Sequence, residues 1–182
     1  MKILPPAISR QVALLALLSF LGAAPAANSA PAQKKDYLSE VEADKIRDAA
    51  VTGPRIILFA NFAADRIKKI QYELAHLDPA DQKRTERLNN LINSYSGCID
   101  DAADLINLGI EKQEDIRAGV KTLQARLKEF LPYLQELAAN GPERDTYKEN
   151  LDDAIEATQD AAKEVEKASK EMAPPPMRRN PS

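Results

Sequence analysis

The stretch IRAGVKTLQARLKEFLPYLQEL, residues 116 to 137, decides the fold. Its apolar residues Ile116, Val120, Leu123, Leu127, Phe130, Leu134 and Leu137 recur at steps of 4, 3, 4, 3, 4 and 3. That spacing puts all seven on one stripe of a helix and is the pattern of a heptad seam. A stripe of this kind needs partners to cover it, so neighbouring segments with the same period are expected.

Three such segments exist. Phe59, Ala63, Ile67, Ile70, Leu74 and Leu77 form one seam, and Leu88, Leu91, Tyr95, Ile99, Ala102 and Ile106 a second. Tyr147, Leu151, Ala154, Thr158, Ala161, Val165, Ala168 and Met172 form the third. Breakers separate them at Gly53-Pro54, Asp78-Pro79, the Gly109 region and Gly141-Pro142. Proline fits a first helical turn because its missing N–H would be unpaired there, so three of these breaks read as helix starts, with Asp78 as an N-cap. The expected fold is all-α: an antiparallel up-down-up-down four-helix bundle with a short additional N-terminal helix.

The helices are expected over about 37–50, 54–77, 79–108, 113–139 and 142–172. Folding sequential neighbours together sets Ile106 level with Ile116, Ile99 with Leu123, Phe130 near Leu151, and small Ala103 against Gly119. In the same arrangement the first and last long helices are neighbours. Arg66 and Lys69 then face Asp160 and Glu156, so the cationic and acidic stripes are expected to pair.

The short first helix has its own signal. Ser39 and Glu42 have the spacing of a capping box, and Leu38, Val41, Ile46 and Ala49 offer an apolar stripe. The following helix opens Ile56-Ile57-Leu58-Phe59 with Phe62 close behind, apolar on nearly every side, and a helix apolar all round is covered all round. Residues 37–50 are therefore expected to pack over that end. A dimer contact through Ile57, Leu58 and Phe62 is the rival.

The first residues carry a different message. Lys2 and Arg10 precede the thirteen-residue apolar run Val12 to Ala24, which small residues follow at Ala24-Pro25-Ala26 and Ala27-Asn28-Ser29. A membrane-spanning helix needs about 20 apolar residues, so the run reads as the h-region of a cleaved Sec-type signal peptide over 1–29. No cysteine follows it for lipid attachment. A flexible leader over 30–35, the helical body over 36–172 and a proline-rich disordered tail over 173–182 complete the organisation. A periplasmic or secreted protein without stable membrane insertion is expected.

Composition limits the chemistry. The chain of 182 residues has 25 Lys+Arg against 28 Asp+Glu, one Cys and one His. A net charge of −3 argues against non-specific nucleic-acid binding, which needs a basic face to displace counterions from phosphates. One cysteine forms no internal disulfide. Glu73-Leu74-Ala75-His76 has the Glu-x-x-His step of di-iron bundles, but those sites take a second copy of the step, and His76 is the chain's one histidine. Cys98 lies about 28 Å along its helix from the turn beside His76, so no Cys–His dyad forms. Asp100, Asp101 and Asp104 supply too few oxygens from a straight helix for calcium and read as a polar face. No nucleotide-binding or nucleophile-elbow motif occurs.

No cofactor or metal is expected, and no catalytic residue. The partner is an unidentified envelope protein or a second copy of the chain. Two irregularities, Ser94-Tyr95-Ser96-Gly97 and Pro132, adjust packing or open a small pocket, and an apolar ligand would sit beside Tyr95, Phe130 and Tyr133.

The stretch from Tyr37 to Ala49, YLSEVEADKIRDA, followed by Pro54-Arg55-Ile56, resembles the opening of small secreted bacterial helical proteins that are themselves uncharacterised. The resemblance implies a helical exported protein and no activity. The expected role is therefore a non-enzymatic structural or protein-interaction module of the cell envelope, with a small-molecule carrier or sensor as the alternative.

Overall fold

Residue types that favour helix run unbroken between the glycine and proline breaks, and every regular element is helical. The computed structural model describes Tyr37 to Met172, apart from Leu77 and Pro79. Residues 1–36 and 173–182, where a signal peptide, a leader and a disordered tail are expected, lie outside the described residues. In chain order the helices are α1 (Glu40–Asp48), α2 (Thr52–Ala75), α3 (Arg84–Glu111), α4 (Arg117–Asn140) and α5 (Lys148–Glu171), with a 3-10 turn at Arg144–Thr146 before α5. No strand occurs among the described residues.

The seams are buried as their spacing requires. Ile116, the N-cap of α4, and its six seam positions from Val120 to Leu137 lie in one core with Phe59, Ala63, Ile67 and Ile70 of α2, Leu88, Tyr95, Ile99, Ala102 and Ile106 of α3, and Leu151, Ala154, Ala161, Val165 and Ala168 of α5. Leu74, Leu91 and Met172 are only partly covered. Leu77 lies outside the described residues.

Two expected helix starts move. Asp78 does not cap α3; its carboxylate accepts from the Ala80 N–H in a local turn, and α3 begins later, at Arg84. The side chain of Asp78 closes its own short loop more readily than it reaches a helix two turns away. After Pro142 the chain first makes the 3-10 turn with Glu143 in the left-handed region at φ 52°, and α5 starts at Lys148. α2, by contrast, starts two residues before Pro54, which then occupies its first turn.

The order of neighbours also differs from the expected one. α2 packs on α3 and α4, and α5 packs on α3 and α4, whereas α3 with α4 and α2 with α5 are not among the extensively packed pairs. Chain direction follows from cross-contacts. Arg84 Nε donates to the Glu73 carbonyl and Arg87 binds the Glu73 carboxylate, so the end of α2 meets the start of α3. Asn89 donates to the Thr146 carbonyl and Tyr95 meets Thr158, so α3 and α5 run parallel. α2 and α4 start together: a Cβ on Gly119 would lie 2.8 Å from the Gly53 carbonyl oxygen and 3.0 Å from Ile56 Cβ.

The reason lies in the α3–α4 connection. Gln113 takes the left-handed conformation at φ 57°, the Glu114 N–H caps the Gly109 carbonyl at 2.9 Å, and the Glu114 carboxylate accepts from the Thr52 N–H at 2.7 Å. Glu114 thereby holds the loop across the beginning of α2, whose first backbone donors have no partner inside the helix. Missing Cβ atoms make the approach possible, because a Cβ on Gly109 would fall 2.4 Å from Ile116 Cγ2. The α3–α4 interface that would bring Ile106 onto Ile116, Ile99 onto Leu123 and Ala103 onto Gly119 is therefore not among the extensively packed ones. Gly119 faces α2 instead.

Charged side chains follow the same correction. Arg66 and Lys69 do not meet Asp160 and Glu156; Asp160 pairs with Lys163 on its own helix, Lys69 with Asp65, and Arg66 with Glu42 and Asp65.

Candidate functional site

Arg66 stands on α2 four residues from both Phe62 and Ile70, a core-facing position, and is only 6% exposed. A buried guanidinium needs a partner that satisfies both its charge and its fork of donors. Glu42 of α1 supplies one: Arg66 Nη1 donates to Glu42 Oε1 at 2.5 Å and Nη2 to Oε2 at 2.7 Å. Arg66 Nη2 also reaches the Tyr37 carbonyl at 3.3 Å. This bidentate pair and a backbone contact hold α1 to the body.

The same glutamate closes the capping box that the sequence predicts. Ser39 Oγ accepts from the Glu42 N–H, and the Ser39 N–H donates to Glu42 Oε2 at 2.9 Å. Burial pushes the Glu42 carboxyl up, but the Arg66 and Ser39 hydrogen bonds and the Arg66 charge outweigh it and hold the group at about 2. Arg66 stays cationic, kept so first by the Glu42 hydrogen bond.

Beside the ion pair lies Gly97 of α3. A Cβ there would fall 2.8 Å from Cδ1 and Cε1 of the Tyr37 ring, so the ring rests against bare backbone. The Tyr37 hydroxyl is buried without a hydrogen-bond partner. α1 itself contributes no buried residue, and Val41 is 64% exposed. At its other end, Arg55 Nε donates to the Ala49 carbonyl at 2.8 Å. The site is therefore a slot with the Arg66 guanidinium at one end and the bare Gly97 backbone at the other, filled by the chain's own first turn and its Tyr37 ring.

The residues singled out from sequence are placed as follows. Tyr95 is fully buried, its ring edge-on to Phe130 with centroids 5.6 Å apart, and its hydroxyl lies 2.7 Å from Thr158 Oγ1. Thr158 donates to the Ala154 carbonyl, which leaves its oxygen to accept from Tyr95. Burial raises the Tyr95 phenol well above its ordinary range. Tyr133 is half-buried and raised to about 12, by burial first and then by Tyr147. Tyr95 and Phe130 thus meet, while the polar surroundings of Tyr133 belong to the α4–α5 turn. Phe62 is buried, and Ile57 and Leu58 are half-buried. α1 packs on α2, with Tyr37, Leu38, Ile46 and Leu58 against the core.

Glu73 and His76 serve different partners. Glu73 accepts from Arg87, whereas His76 Nδ1 lies 2.8 Å from the Tyr72 carbonyl and its ring stacks on Tyr72 at 4.1 Å. Cys98 is buried and outside any disulfide. Partial burial, with Asp104 and Asp160 nearby, raises the Asp100 carboxyl. No group of three or more His, Cys, Asp or Glu among the described residues converges to hold a metal ion, and no described helix is long and apolar enough to cross a membrane.

Two surface grooves among the described residues are lined by side chains other than Tyr95. One of about 450 Å³ runs between α2 and α3 past Lys68, Tyr72, Arg87 and Leu91. Another of about 440 Å³ lies between α4 and α5 beside Leu131, Pro132 and Val165. Pro132 therefore opens the outer face of α4 rather than the Tyr95 centre.

Two features escaped sequence reading. The capping box identifies Glu42, but a capping carboxylate keeps lone pairs for a second donor, and nothing local says which cation takes them. Arg66 carries a signal, since a cation on an otherwise core-facing stripe needs a buried partner. Gly97 reads as a helix weakness and is a contact surface. No protein-family model, curated protein or solved structure matches this chain.

Proposed function

We propose that the chain is an exported, non-enzymatic helical-bundle protein that acts as a protein-interaction or structural module of the cell envelope. In this reading α2 to α5 form a four-helix bundle with alternating chain direction, and α1 is an added helix that meets the partner. The apolar run Val12 to Ala24 behind Lys2 and Arg10 supports export to the periplasm or beyond. The observation that carries the interaction reading is α1, a nine-residue helix with no buried residue, fixed through Glu42 to a buried arginine. A helix none of whose residues is fully enclosed offers a surface.

The test is expression of the full chain in bacteria, with N-terminal sequencing of the periplasmic protein and cross-linking of the intact chain beside one lacking residues 37–50. Processing near Ala26 or Asn28, with partners lost on deletion while helical circular dichroism persists, is the expected result. A chain that stays unprocessed in the cytoplasm overturns export, and unchanged cross-links overturn recognition through α1. The carrier alternative draws no support from Tyr95, whose hydroxyl is taken by Thr158.

A further inference from the structure

The slot beneath α1 is a recognition geometry whose present occupant fits it imperfectly. Arg66, buried on α2, presents a planar fork of donors that matches one carboxylate at two points. Gly97, on α3, leaves a space that admits an aromatic ring because it carries no side chain of its own. A ligand for the pair therefore carries an aromatic residue and a carboxylate at a fixed separation. A helix start achieves it with an aromatic two residues before a serine N-cap and a glutamate three residues after that serine, as Tyr37, Ser39 and Glu42 do here.

The misfit is the Tyr37 hydroxyl. It is buried and makes no hydrogen bond, and an unsatisfied buried hydroxyl weakens the contact that buries it. Phenylalanine in the same place would leave nothing unsatisfied. Beyond the slot, α1 is held by half-buried Ile46 and by the Arg55 bond to the Ala49 carbonyl, with no fully buried residue of its own, and its link to α2 is the extended Ala49 to Val51 segment.

We propose that the Arg66–Gly97 slot is a receptor for the first turn of a helix from another protein, of the form Phe-x-Ser-x-x-Glu, and that α1 is a resident occupant which such a segment displaces. This rests on the interaction reading of α1 and gives its partner a chemistry. A second copy of the chain is a poorer occupant, because it brings the same tyrosine and gains nothing by exchange. Tethering presents α1 to the slot at an effective concentration on the order of millimolar, so a free segment wins by fitting better or by adding contacts outside the slot.

The test uses the full chain and fluorescein-labelled peptides covering residues 37 to 50, one with the natural Tyr37 and one with Tyr37→Phe, read by fluorescence polarisation. A chain carrying Tyr37→Ala and Glu42→Gln, its own occupant disabled, is expected to bind the Phe peptide saturably and the Tyr peptide about tenfold more weakly. The unaltered chain binds the Phe peptide at least about tenfold more weakly than the disabled chain does, because α1 competes. Adding Gly97→Ala to the disabled chain abolishes binding while helix content holds, alanine being the better helix former. Arg66→Gln does the same. The proposal is overturned by no binding to the disabled chain, by equal affinity for the two peptides, by binding that survives Gly97→Ala, or by a dimer of the unaltered chain that exchanges α1. Any of these would leave export and envelope cross-linking untouched, so the two readings fail separately.

Discussion

The Tyr95 hydroxyl and the Thr158 hydroxyl meet at 2.7 Å in the middle of the core, joining the parallel helices α3 and α5 through a fully enclosed pair of polar side chains. The two partners are not equivalent. Thr158 already donates to the Ala154 carbonyl and merely loses a donor when Tyr95 is shortened to phenylalanine. Thr158→Val, by contrast, strands a buried phenol. We expect Tyr95→Phe to cost about 1 kcal/mol and Thr158→Val about 2 kcal/mol, with a coupling of about 1 kcal/mol in the double variant. Urea unfolding of the four proteins measures it, and a Tyr95→Phe variant less stable than Thr158→Val would contradict the donor assignment.

Close approach of α2 and α4 depends on Gly119. Its missing Cβ leaves 2.8 Å to a backbone oxygen, Gly53 O, and 3.0 Å to the branched Cβ of Ile56, neither of which swings aside. Gly119→Ala should destabilise the fold by about 2 kcal/mol, even though alanine favours helix by about 1 kcal/mol. The nearest atoms that Gly97→Ala meets belong to the Tyr37 side chain, which leaves the slot with α1 while the bundle stays packed, so its thermal midpoint should rise or stay level. A matched pair of melting curves decides, and a harmless Gly119→Ala would refute the packing.

The Glu42–Arg66 pair predicts a pH window. Glu42 has its ordinary value of 4.5 when unfolded and about 2 when paired, so its contribution is fully present above pH 4.5 and fades as the pH falls toward 2. Because part of the site is open to water, we discount the shift to about 1 to 2 kcal/mol. Glu42→Gln should therefore lower stability by that amount at pH 7 and by close to nothing near pH 2. Chemical denaturation of both chains across the range tests it, and a pH-independent difference would mean that the carboxylate charge is not what holds α1.

Cys98 has no exposed surface. A thiol reagent reaches it only when the fold opens, so labelling in native buffer should be on the order of a thousandfold slower than in urea. Non-reducing gels of freshly purified protein should show no disulfide-linked dimer. Rapid native labelling would place the thiol on the surface.

How much of this was written legibly in the chain differs by level. The seams were, because a 3.6-residue period depends only on which face meets the interior, and Leu123, Leu127 and Leu134 are as buried as their spacing demands. The order of the helices was not. Sequential neighbours give equally continuous layers for either arrangement, and the choice rests on Glu114 reaching Thr52 and on three glycines that let chains cross. Charge stripes misled for the same reason, since Asp160 finds Lys163 one turn away before any other helix is consulted. At the slot, the capping box was visible and its second role was not, because a contact such as Glu42 with Arg66 leaves no period in the sequence. Ser94 and Ser96 looked like weak points of α3, yet both hydroxyls return to carbonyls of their own helix and α3 runs on unbroken.

The route of the α3–α4 loop divides the molecule in an unexpected place. α2 with α3 and α4 with α5 are each a hairpin, and every large interface besides those inside the hairpins joins one hairpin to the other. Each half on its own would leave its greasy side uncovered, and together they cover both. Cleavage at Gln113, where the backbone turns over in the left-handed conformation, would cut the one covalent link between them at the turn whose Glu114 also caps Gly109 and Thr52. The fold is in this sense a pair of complementary fragments that happen to share one polypeptide, suited to being split into two reporters that light up only when reunited.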